Sequence, residues 1–290
     1  MGRAILLITF LGEIFMEKRR VAIIAGYGSL PLIGAKHIKE KGDYLLVIAL
    51  KESCTLKDEL KALADDYYEL SVGLAGKILK TMKKHNITHA LLSGKVEIKL
   101  LHSLRFDLKA VLILAKISLK STDSINLAII DELKKIGVDM ISQKEVYSSI
   151  IPKSAVFSKR SYKDTNLISD IKEGFLFAKR IGGLDLGQSI VISGGKIMAV
   201  ESAEGTDKTF ARGSKLGNGS AICIKTGKSY QDERFDLPTV GLDTLKNIAE
   251  NNGIGLIMES GETIVVDMEK CIEYADTHNL IFAAVKENEL

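Results

Sequence analysis

Short apolar runs alternate with amphipathic stretches along the first half of the chain. An apolar run that ends in glycine, such as "RVAIIAG" at Arg20 to Gly26, is typical of a buried parallel strand. Apolar residues three or four positions apart predict helices instead. We therefore predict strands at 20–26, 44–50, 88–94 and 138–142, and helices at 29–42, 74–87 and 121–137. Strands that alternate with helices imply a parallel sheet with right-handed crossovers, which is an α/β arrangement.

The pattern changes near Pro152. One helix over 164–183 is followed by apolar strand patterns and two further helices, at 240–253 and 268–279. Among these strands, "GLIMES" and "ETIVVD" are expected to pair with each other, and "LIFAAV" is expected to follow the last helix. We predict an N-terminal parallel-sheet domain over 17–154 and a C-terminal mixed α+β domain over 155–290.

The strongest local pattern in the second half is a β-hairpin. "SIVIS" and "KIMAVES" flank Gly194-Gly195, a dipeptide that favours a two-residue turn. Counting outward from that turn pairs Ser193 with Lys196 and, further along, Gln188 with Glu201. "LDLGQ" and "ESAEGTD" should therefore meet at the open end of the hairpin.

Composition narrows the class of protein without naming a function. The 290 residues are 46% hydrophobic and 27% charged, as in ordinary globular proteins. Forty basic and 37 acidic residues give a net charge of +3, too balanced to indicate nucleic-acid binding. Cys54, Cys223 and Cys271 lack the spacing of a zinc site, so we expect free thiols in a reducing compartment.

The first apolar run does not predict a membrane span. "AILLITFLGEIF" is interrupted by Glu13 and is too short to cross a bilayer. No small-residue cleavage site follows it. We expect the natural start of the protein at Met16.

Two loops of the first half carry residues that suit a phosphate. "AGYGSLP" ends the first strand and opens a helix, so that Gly26, Gly28 and Ser29 would offer backbone N–H groups at a helix N-terminus. Lys95, in "SGKV", follows a later strand of the same sheet. The alternative is a plain tight turn. The third glycine of a dinucleotide fingerprint is absent, which argues against a nicotinamide-dependent oxidoreductase. Glu52, after the second strand, is a candidate ribose partner, and the alternative is a solvated side chain.

A denser set of charges lies in the second half. Carboxylates suit a hard cation such as Mg²⁺ that also binds substrate phosphates, and lysine and arginine suit the phosphates themselves. Three loops contribute to this candidate metal–phosphate site: Gln188, Glu201, Glu204, Asp207 and Arg212; Lys225 and Lys228; Asp232, Arg234 and Asp236. Each of these charges alone is usually a solvated side chain, so their convergence is the basis of the prediction.

Pro238 gives the last of these loops a predicted shape. Only 3 prolines occur in the chain, and this one lies in "QDERFDLPTVG". Proline fixes its own φ and disfavours helix at Leu237. We therefore expect an extended segment, in which Arg234 and Asp236 point to the same side. The alternative is that Pro238 only separates a strand from a helix.

Taken in order, these motifs resemble a known family. "AGYGSLP", "SGKV", "LDLGQSIVI", "AVESAEGTD", "ARG" and "QDERFDLPTVG" are similar to the UDP-2,3-diacylglucosamine pyrophosphatases of lipid A biosynthesis, in the two-domain family unrelated to calcineurin-like enzymes. The resemblance covers roughly residues 20 to 285. The chain departs from the family pattern at Ser121 to Asp123, Glu97, Ile98 and Leu242.

The resemblance implies a fold, a reaction and a set of site residues. It implies a Rossmann-like N-terminal domain and hydrolysis of UDP-2,3-diacylglucosamine to UMP and 2,3-diacylglucosamine 1-phosphate with Mg²⁺ or another divalent cation such as Mn²⁺. Asp236 matches the family's essential acid, and Gln188 matches its "GQ". The matching positions around "EGTD" are Glu201, Glu204, Thr206 and Asp207.

A mechanism and a location follow as expectations. Asp236 and Asp207 would hold the cation, while Arg234, Lys225 or Arg212 would stabilise the phosphate oxygens. We expect the protein to be cytoplasmic and to contact the inner-membrane surface transiently. We expect no nucleic-acid partner, and a homodimer is compatible with the sequence. A non-catalytic nucleotide- or lipid-binding paralogue is the main alternative.

Overall fold

The protein forms two compact units. The computed structural model describes residues 18–96, 105–115, 122–164, 167–228 and 230–290. Contacts group the chain up to Ser142 into one unit and Gln143–Leu290 into the other. The predicted amino-terminal run and the side chains of Ser121 to Asp123 lie outside the described residues. None of the described helices is long and apolar enough to span a bilayer.

The first unit is built on a parallel sheet, as predicted. Its five strands have the order β3-β2-β1-β4-β5, and every neighbouring pair is parallel. The strands are β1 Arg20–Ala25, β2 Tyr44–Leu50, β3 Asp66–Leu70, β4 His89–Ser93 and β5 Asp139–Met140. The inner strands β1 and β2 are almost entirely buried, which is why they appear as continuous apolar runs.

Helices connect these strands along the chain. The described helices of this unit are α1 Leu30–Glu40, α2 Lys57–Leu63, α3 Ala75–Lys84, α4 Leu108–Leu114 and α5 Thr122–Lys134. The predictions of α1, α3 and α5 are confirmed. Helix α2 and strand β3 were not predicted. Strand β3 was missed because it lies at the sheet edge, where "DYYEL" is mostly half-exposed and has no continuous apolar run.

The second unit contains a six-stranded mixed sheet in the order β6-β13-β11-β9-β7-β8. Strands β9, β11 and β13 are mutually parallel, whereas β7 is antiparallel to both β8 and β9. The described strands of this unit, of which β10 and β12 lie outside the six-stranded sheet, are β6 Ala155–Val156, β7 Ser189–Ser193, β8 Lys196–Val200, β9 Ile222–Lys225, β10 Thr239–Val240, β11 Gly255–Glu259, β12 Ile264–Val265 and β13 Ile281–Val285. The α/β class and the mixed second sheet agree with the prediction.

Helices cover both faces of this mixed sheet. The described helices of the unit are α6 Gln143–Val146, α7 Ile168–Gly183, α8 Thr206–Gly217, α9 Leu242–Glu250 and α10 Met268–Thr277, with short 3₁₀ turns at Ser148–Ile150, Tyr162–Asp164 and Glu287–Glu289. Phe175 of α7 packs with Ile190 on one face. Phe210 of α8 and Leu245 of α9 pack with Val191 on the other. Alternate residues of β7 therefore enter separate cores, as the two-residue period of a strand requires.

The hairpin forms at its predicted turn, but its register differs from the prediction. Gly194 and Gly195 both have positive φ, 56° and 72°, and Ser193 pairs with Lys196. A β-bulge between Val191 and Ile192 then shifts the pairing by one residue. As a result Glu201 N–H donates to the Ser189 carbonyl at 2.9 Å, so the predicted pairing of Glu201 with Gln188 was wrong.

The strand predicted in "ETIVVD" forms, but its pairing partner differs from the prediction. This strand, β12, does not pair with β11 as we predicted. It is parallel to β10, with Thr239 opposite Ile264 and Val240 opposite Val265. The two strands form a separate two-stranded sheet, and Ile264 N–H donates to the Pro238 carbonyl at 2.8 Å. The apolar pattern identified the strand but not its partner.

Contacts divide the two units between Ser142 and Gln143, and the predicted domain boundary between residues 154 and 155 stays a prediction. Gln143 N–H donates to the Glu233 carbonyl at 2.8 Å. The Lys144 ammonium lies 2.9 Å from the carboxylates of both Glu233 and Glu262. These bonds attach α6 to the second unit.

Candidate active site

The predicted second-half residues gather at one edge of the mixed sheet. Because β9 and β11 are parallel, their carboxyl ends lie at the same edge, where Lys225 and Glu259 end the two strands. Strand β8 runs in the same direction, since both β8 and β9 are antiparallel to β7, and Glu201 follows it. Ligands of open α/β sheets bind beyond the carboxyl ends of parallel strands. We call this region the carboxyl edge.

Two buried side chains of opposite charge, Lys225 and Glu201, lie at the centre of the carboxyl edge. Lys225 is 3% exposed and Glu201 is 9% exposed. The Lys225 ammonium donates to Thr206 Oγ1 at 2.7 Å and to Ser189 Oγ at 3.4 Å. The Thr206 hydroxyl in turn donates to Glu201 Oε1 at 2.8 Å. This network ties the end of β9 to the first residue of α8.

Glu201 is held in its ionised form despite its burial. Burial acts to raise the pKa of its carboxyl group, but the Lys225 charge and three hydrogen bonds outweigh that effect and leave the pKa below its usual value. One of these bonds comes from Gln188 N–H, 3.1 Å from Glu201 Oε2. Gly187 is required beside it, because a Cβ there would lie 2.7 Å from the Glu201 carbonyl oxygen.

Glu204 and Arg212 bind each other at the rim of this edge. The Arg212 guanidinium forms an ion pair with the Glu204 carboxylate and also donates to the Val200 carbonyl at 3.2 Å. The Thr209 hydroxyl donates to Glu204 at 3.2 Å. The hydrogen bond from Arg212 is the main cause that lowers the pKa of Glu204. Both charged groups are partly exposed and lie beside the start of α8.

Asp236 joins the carboxyl edge through Lys228. The Lys228 ammonium lies 3.3 Å from Asp236 Oδ2 and 3.0 Å from Asp185 Oδ1. Its backbone N–H donates to Gln231 Oε1 at 2.9 Å. Lys228 thus lies between two carboxylates, one of which is the acid that the family resemblance marks as essential.

The prediction that the segment carrying Arg234 and Asp236 is extended was wrong. Residues 232–236 form a turn, in which Asp236 N–H donates to the Asp232 carbonyl at 3.1 Å. Arg234 binds the Asp232 carboxylate at 2.6 Å and lowers the pKa of that group. The proline restriction acts only on Leu237, so it did not extend the residues before it.

The carbonyl oxygen of Asp207, in the first turn of α8, accepts a hydrogen bond from Asn247 Nδ2 at 2.6 Å. Among the residues that the structure describes, no three His, Cys, Asp or Glu side chains form a metal-binding group. Mg²⁺ is commonly bound by one or two carboxylates together with substrate phosphates. A cation shared with a diphosphate, with Asp236 and Asp207 as its protein ligands, stays a prediction.

The first-unit loops have a structural reason for their glycines. A Cβ on Gly26 would lie 2.7 Å from the Lys95 carbonyl oxygen, and the backbones of Tyr27 and Lys95 exchange hydrogen bonds at 2.9 and 3.0 Å. Gly28 has a φ of 98°. Ser29 makes no side-chain cap for α1. A role of these loops in binding phosphate stays a prediction.

Glu52, the candidate ribose partner, accepts a hydrogen bond from Val72 N–H at 3.2 Å. That bond fixes the loop after β3.

Sequence reasoning missed several residues of the carboxyl edge. Glu259 ends strand β11 as Lys225 ends β9, so the rule that ligands bind beyond the carboxyl ends of parallel strands would have found it. Lys179 of α7 pairs with Glu259 at 2.7 Å, and no local pattern indicated this contact. Four buried polar atoms near these loops have no partner among the described residues: Gln188 Oε1, Thr226 Oγ1, Gln231 Nε2 and Thr263 Oγ1. Such atoms normally bind water or a ligand.

Comparison with known families decides which group of proteins this chain joins. Residues 20–150 match the model of the LpxI N-terminal domain, and residues 153–283 match that of the LpxI C-terminal domain. The chain belongs to the LpxI family. The family resemblance inferred from the motifs is confirmed at this level, and the two domain matches meet between residues 150 and 153.

One relative extends the match over nearly the whole chain. It is the UDP-2,3-diacylglucosamine pyrophosphatase LpxI of Caulobacter vibrioides, which is 28% identical over an alignment of 282 residues that covers 93% of this chain and 99% of the relative. Among solved structures, phosphoribosylglycinamide synthetase from Anaerococcus prevotii overlaps 65% of this chain and 40% of its own, with 13% identity and a TM-score of 0.27. A TM-score at that level does not establish a shared fold.

Proposed function

We propose that this protein hydrolyses the pyrophosphate bond of UDP-2,3-diacylglucosamine, giving UMP and 2,3-diacylglucosamine 1-phosphate. The observation that supports this most is the carboxyl edge of an LpxI-type C-terminal domain, where Lys228 and Arg212 lie beside the carboxylates of Asp236 and Glu204. The name of the Caulobacter relative specifies the substrate. Water attacks one phosphorus, the anhydride P–O bond breaks, and the two phosphomonoesters leave.

The cations of the carboxyl edge suit a diphosphate. Lys228 and Arg212 are partly exposed, so their N–H groups can turn from carboxylates to phosphate oxygens. The N-terminus of α8, at Thr206, adds backbone N–H groups and a favourable dipole for an anion. Lys225 is buried, so we assign it the role of holding that helix start in place.

Asp236 is the acid on which the proposal depends. When phosphate oxygens bind the Lys228 ammonium, the Asp236 carboxylate becomes available to orient water or to hold a cation. Mg²⁺, or Mn²⁺ in its place, would be held by Asp236 and the substrate phosphates, with Asp207 as a second carboxylate. The bound cation would neutralise negative charge on the diphosphate.

The substrate and one product carry acyl chains, so we also propose transient contact with the inner-membrane surface from a cytoplasmic setting. Leu184 and Leu186 are exposed beside Asp185, which binds Lys228, and they offer apolar contact next to the carboxyl edge. Co-flotation with liposomes of inner-membrane composition should fall when both leucines are changed to serine. A homodimer stays a prediction.

The test of the reaction is UMP release from UDP-2,3-diacylglucosamine, followed with Mg²⁺, with EDTA, and with Mg²⁺ restored. We expect EDTA to abolish release and Mg²⁺ to restore it. Asp236→Asn should reduce kcat by at least about a hundredfold, the scale of losing one preorganised catalytic group. Asp58→Asn, an exposed acid in the first unit, is the matched control.

Near-normal turnover by a folded Asp236→Asn variant would remove Asp236 from the mechanism. Binding of the substrate without UMP release by the wild-type protein would instead favour the non-catalytic nucleotide- or lipid-binding alternative.

A further inference from the structure

One peptide segment at the carboxyl edge is bound from both sides by a single ion pair. Gly227 N–H donates to Glu259 Oε2 at 2.7 Å, and the Lys179 ammonium donates to the Gly227 carbonyl at 3.2 Å. Lys179 and Glu259 lie 2.7 Å apart, with only 25% and 14% of their side chains exposed. The carboxylate thus holds the backbone donor, and the ammonium holds the backbone acceptor.

This contact lies where the chain leaves the sheet. Lys225 is the last residue of β9, Gly227 is buried, and Lys228 is the residue that approaches Asp236. A Cβ at position 227 would lie 3.1 Å from Gln231 Oε1 and 3.5 Å from Glu259 Oε2. The glycine therefore permits close approach of the groups that hold it, and the direction of the chain at Lys228 is set at this point.

We propose that Lys179 and Glu259 are positioning residues, which fix Gly227 and thereby hold the Lys228 ammonium beside Asp236. Neither residue approaches the phosphates in this role; they act through the loop. The catalytic part of this inference rests on the proposed function, because it assigns Lys228 to the diphosphate. The structural part depends only on the four groups that meet at Gly227.

The orientation of the pair provides a sharp test. In the double variant Lys179→Glu/Glu259→Lys, opposite charges face each other again, but the carboxylate now meets the Gly227 carbonyl and the ammonium meets the Gly227 N–H. A pair that served stability alone would be restored by this exchange. If the pair positions Gly227, the swapped charges do not restore its function, because neither the N–H nor the carbonyl of Gly227 then has a complementary partner.

We expect Lys179→Met and the exchanged double variant each to lower kcat for UMP release about ten- to hundredfold, with a smaller change in KM, because small misplacements of a catalytic group cost on this scale. Lys179→Arg, which keeps charge and N–H donors, should lose less than Lys179→Met. Lys57→Met is the matched control, since it removes a 2.9 Å ion pair of the first unit. Wild-type kcat in the exchanged variant would overturn the proposal.

Amide hydrogen exchange gives a second readout that needs no substrate. In the Lys179→Glu/Glu259→Lys variant we expect the amide hydrogens of Gly227 and Lys228 to exchange with solvent at least about tenfold faster than in the wild type, because local protection is lost while the protein stays folded. They should be unchanged in Lys57→Met. If the amides of Gly227 and Lys228 exchange hydrogen at wild-type rates in the Lys179→Glu/Glu259→Lys variant, the positioning role is refuted. If the wild-type protein releases no UMP, the proposed function fails, and the exchange rates still decide whether this pair holds the loop.

Discussion

Replacement of Lys225 by methionine would show what the buried Lys225 charge contributes to the stability of the second unit. Methionine keeps an unbranched apolar chain at the site and removes the ammonium group. The Glu201 carboxylate would then stay almost fully buried without its charge partner. Its hydrogen bonds from Gln188 N–H and the Thr206 hydroxyl would remain.

The expected cost follows from these contacts. Breaking a buried pair by removing one partner commonly costs about 3–5 kcal/mol. Because hydrogen bonds to Glu201 persist, we expect the lower end, about 3 kcal/mol. For a domain of this size that corresponds to a fall in Tm of about 6–12 °C.

The cost should depend on pH in a defined direction. In the wild type the pKa of Glu201 is lowered, so its stabilising effect is present above its unfolded pKa and is lost as pH falls through its folded pKa. In Lys225→Met, burial is no longer opposed by the Lys225 charge, so the pKa of Glu201 should rise. Protonation of Glu201 would then remove the unpaired buried charge from the variant. The difference in unfolding free energy between the wild type and the variant should therefore shrink from pH 7 to pH 4.5.

Urea unfolding of the wild type, Lys225→Met and Lys225→Met/Glu201→Gln at both pH values measures this effect. The double variant should recover part of the lost stability, since it no longer buries an unpaired charge. Lys270→Met is the control; it breaks an exposed pair with Asp267, worth about 0–1 kcal/mol. Equal deficits at the two pH values would refute the argument that Lys225 compensates the Glu201 charge.

Three further predictions concern the packing of the second unit. Gly213→Ala should cost about 1–3 kcal/mol in urea unfolding, because its Cβ would lie 2.4 Å from Val191 Cβ; an unchanged midpoint would contradict this. Asp170→Ala should cost about 2–3 kcal/mol by the same measurement, since its carboxylate accepts both N–H groups of the turn between β7 and β8, at 2.7 and 2.8 Å. Burial raises the pKa of Cys223 to about 12 and of Cys271 to about 11, so a thiol reagent should label both slowly in the folded protein and quickly in urea; rapid native labelling would show that these sites open.

The sequence predicted the parts of the fold in which a strand is buried on both faces. Strand β2, at Tyr44–Leu50, was predicted at its observed bounds because seven consecutive residues avoid charge. Strand β3 was missed because an edge strand needs no such run. The partner of β12 was missed for a related reason: apolar patterning indicates burial, while pairing depends on contacts distant in the sequence.

The site was predicted as a set of residues rather than as a geometry. The end of β9 and the start of α8 do meet, through Lys225 and Thr206. The bulge in β7 could not be predicted, because it depends on how β7 and β8 fit together. The turn at 232–236 was missed because a side-chain bond from Arg234 to Asp232 competes with an extended chain.

Burial separates two kinds of charge at the carboxyl edge that look alike in the sequence. Lys225 is the last residue of β9 and Lys228 follows it closely, yet Lys225 is buried with its ammonium bound to Thr206, while Lys228 lies at the rim beside Asp236. A buried ammonium with its donors already engaged cannot reach a phosphate without breaking the network that holds α8. A rim ammonium can exchange one anionic partner for another at low cost. Substitution of Lys225 should therefore act first on unfolding free energy, and substitution of Lys228 first on substrate turnover.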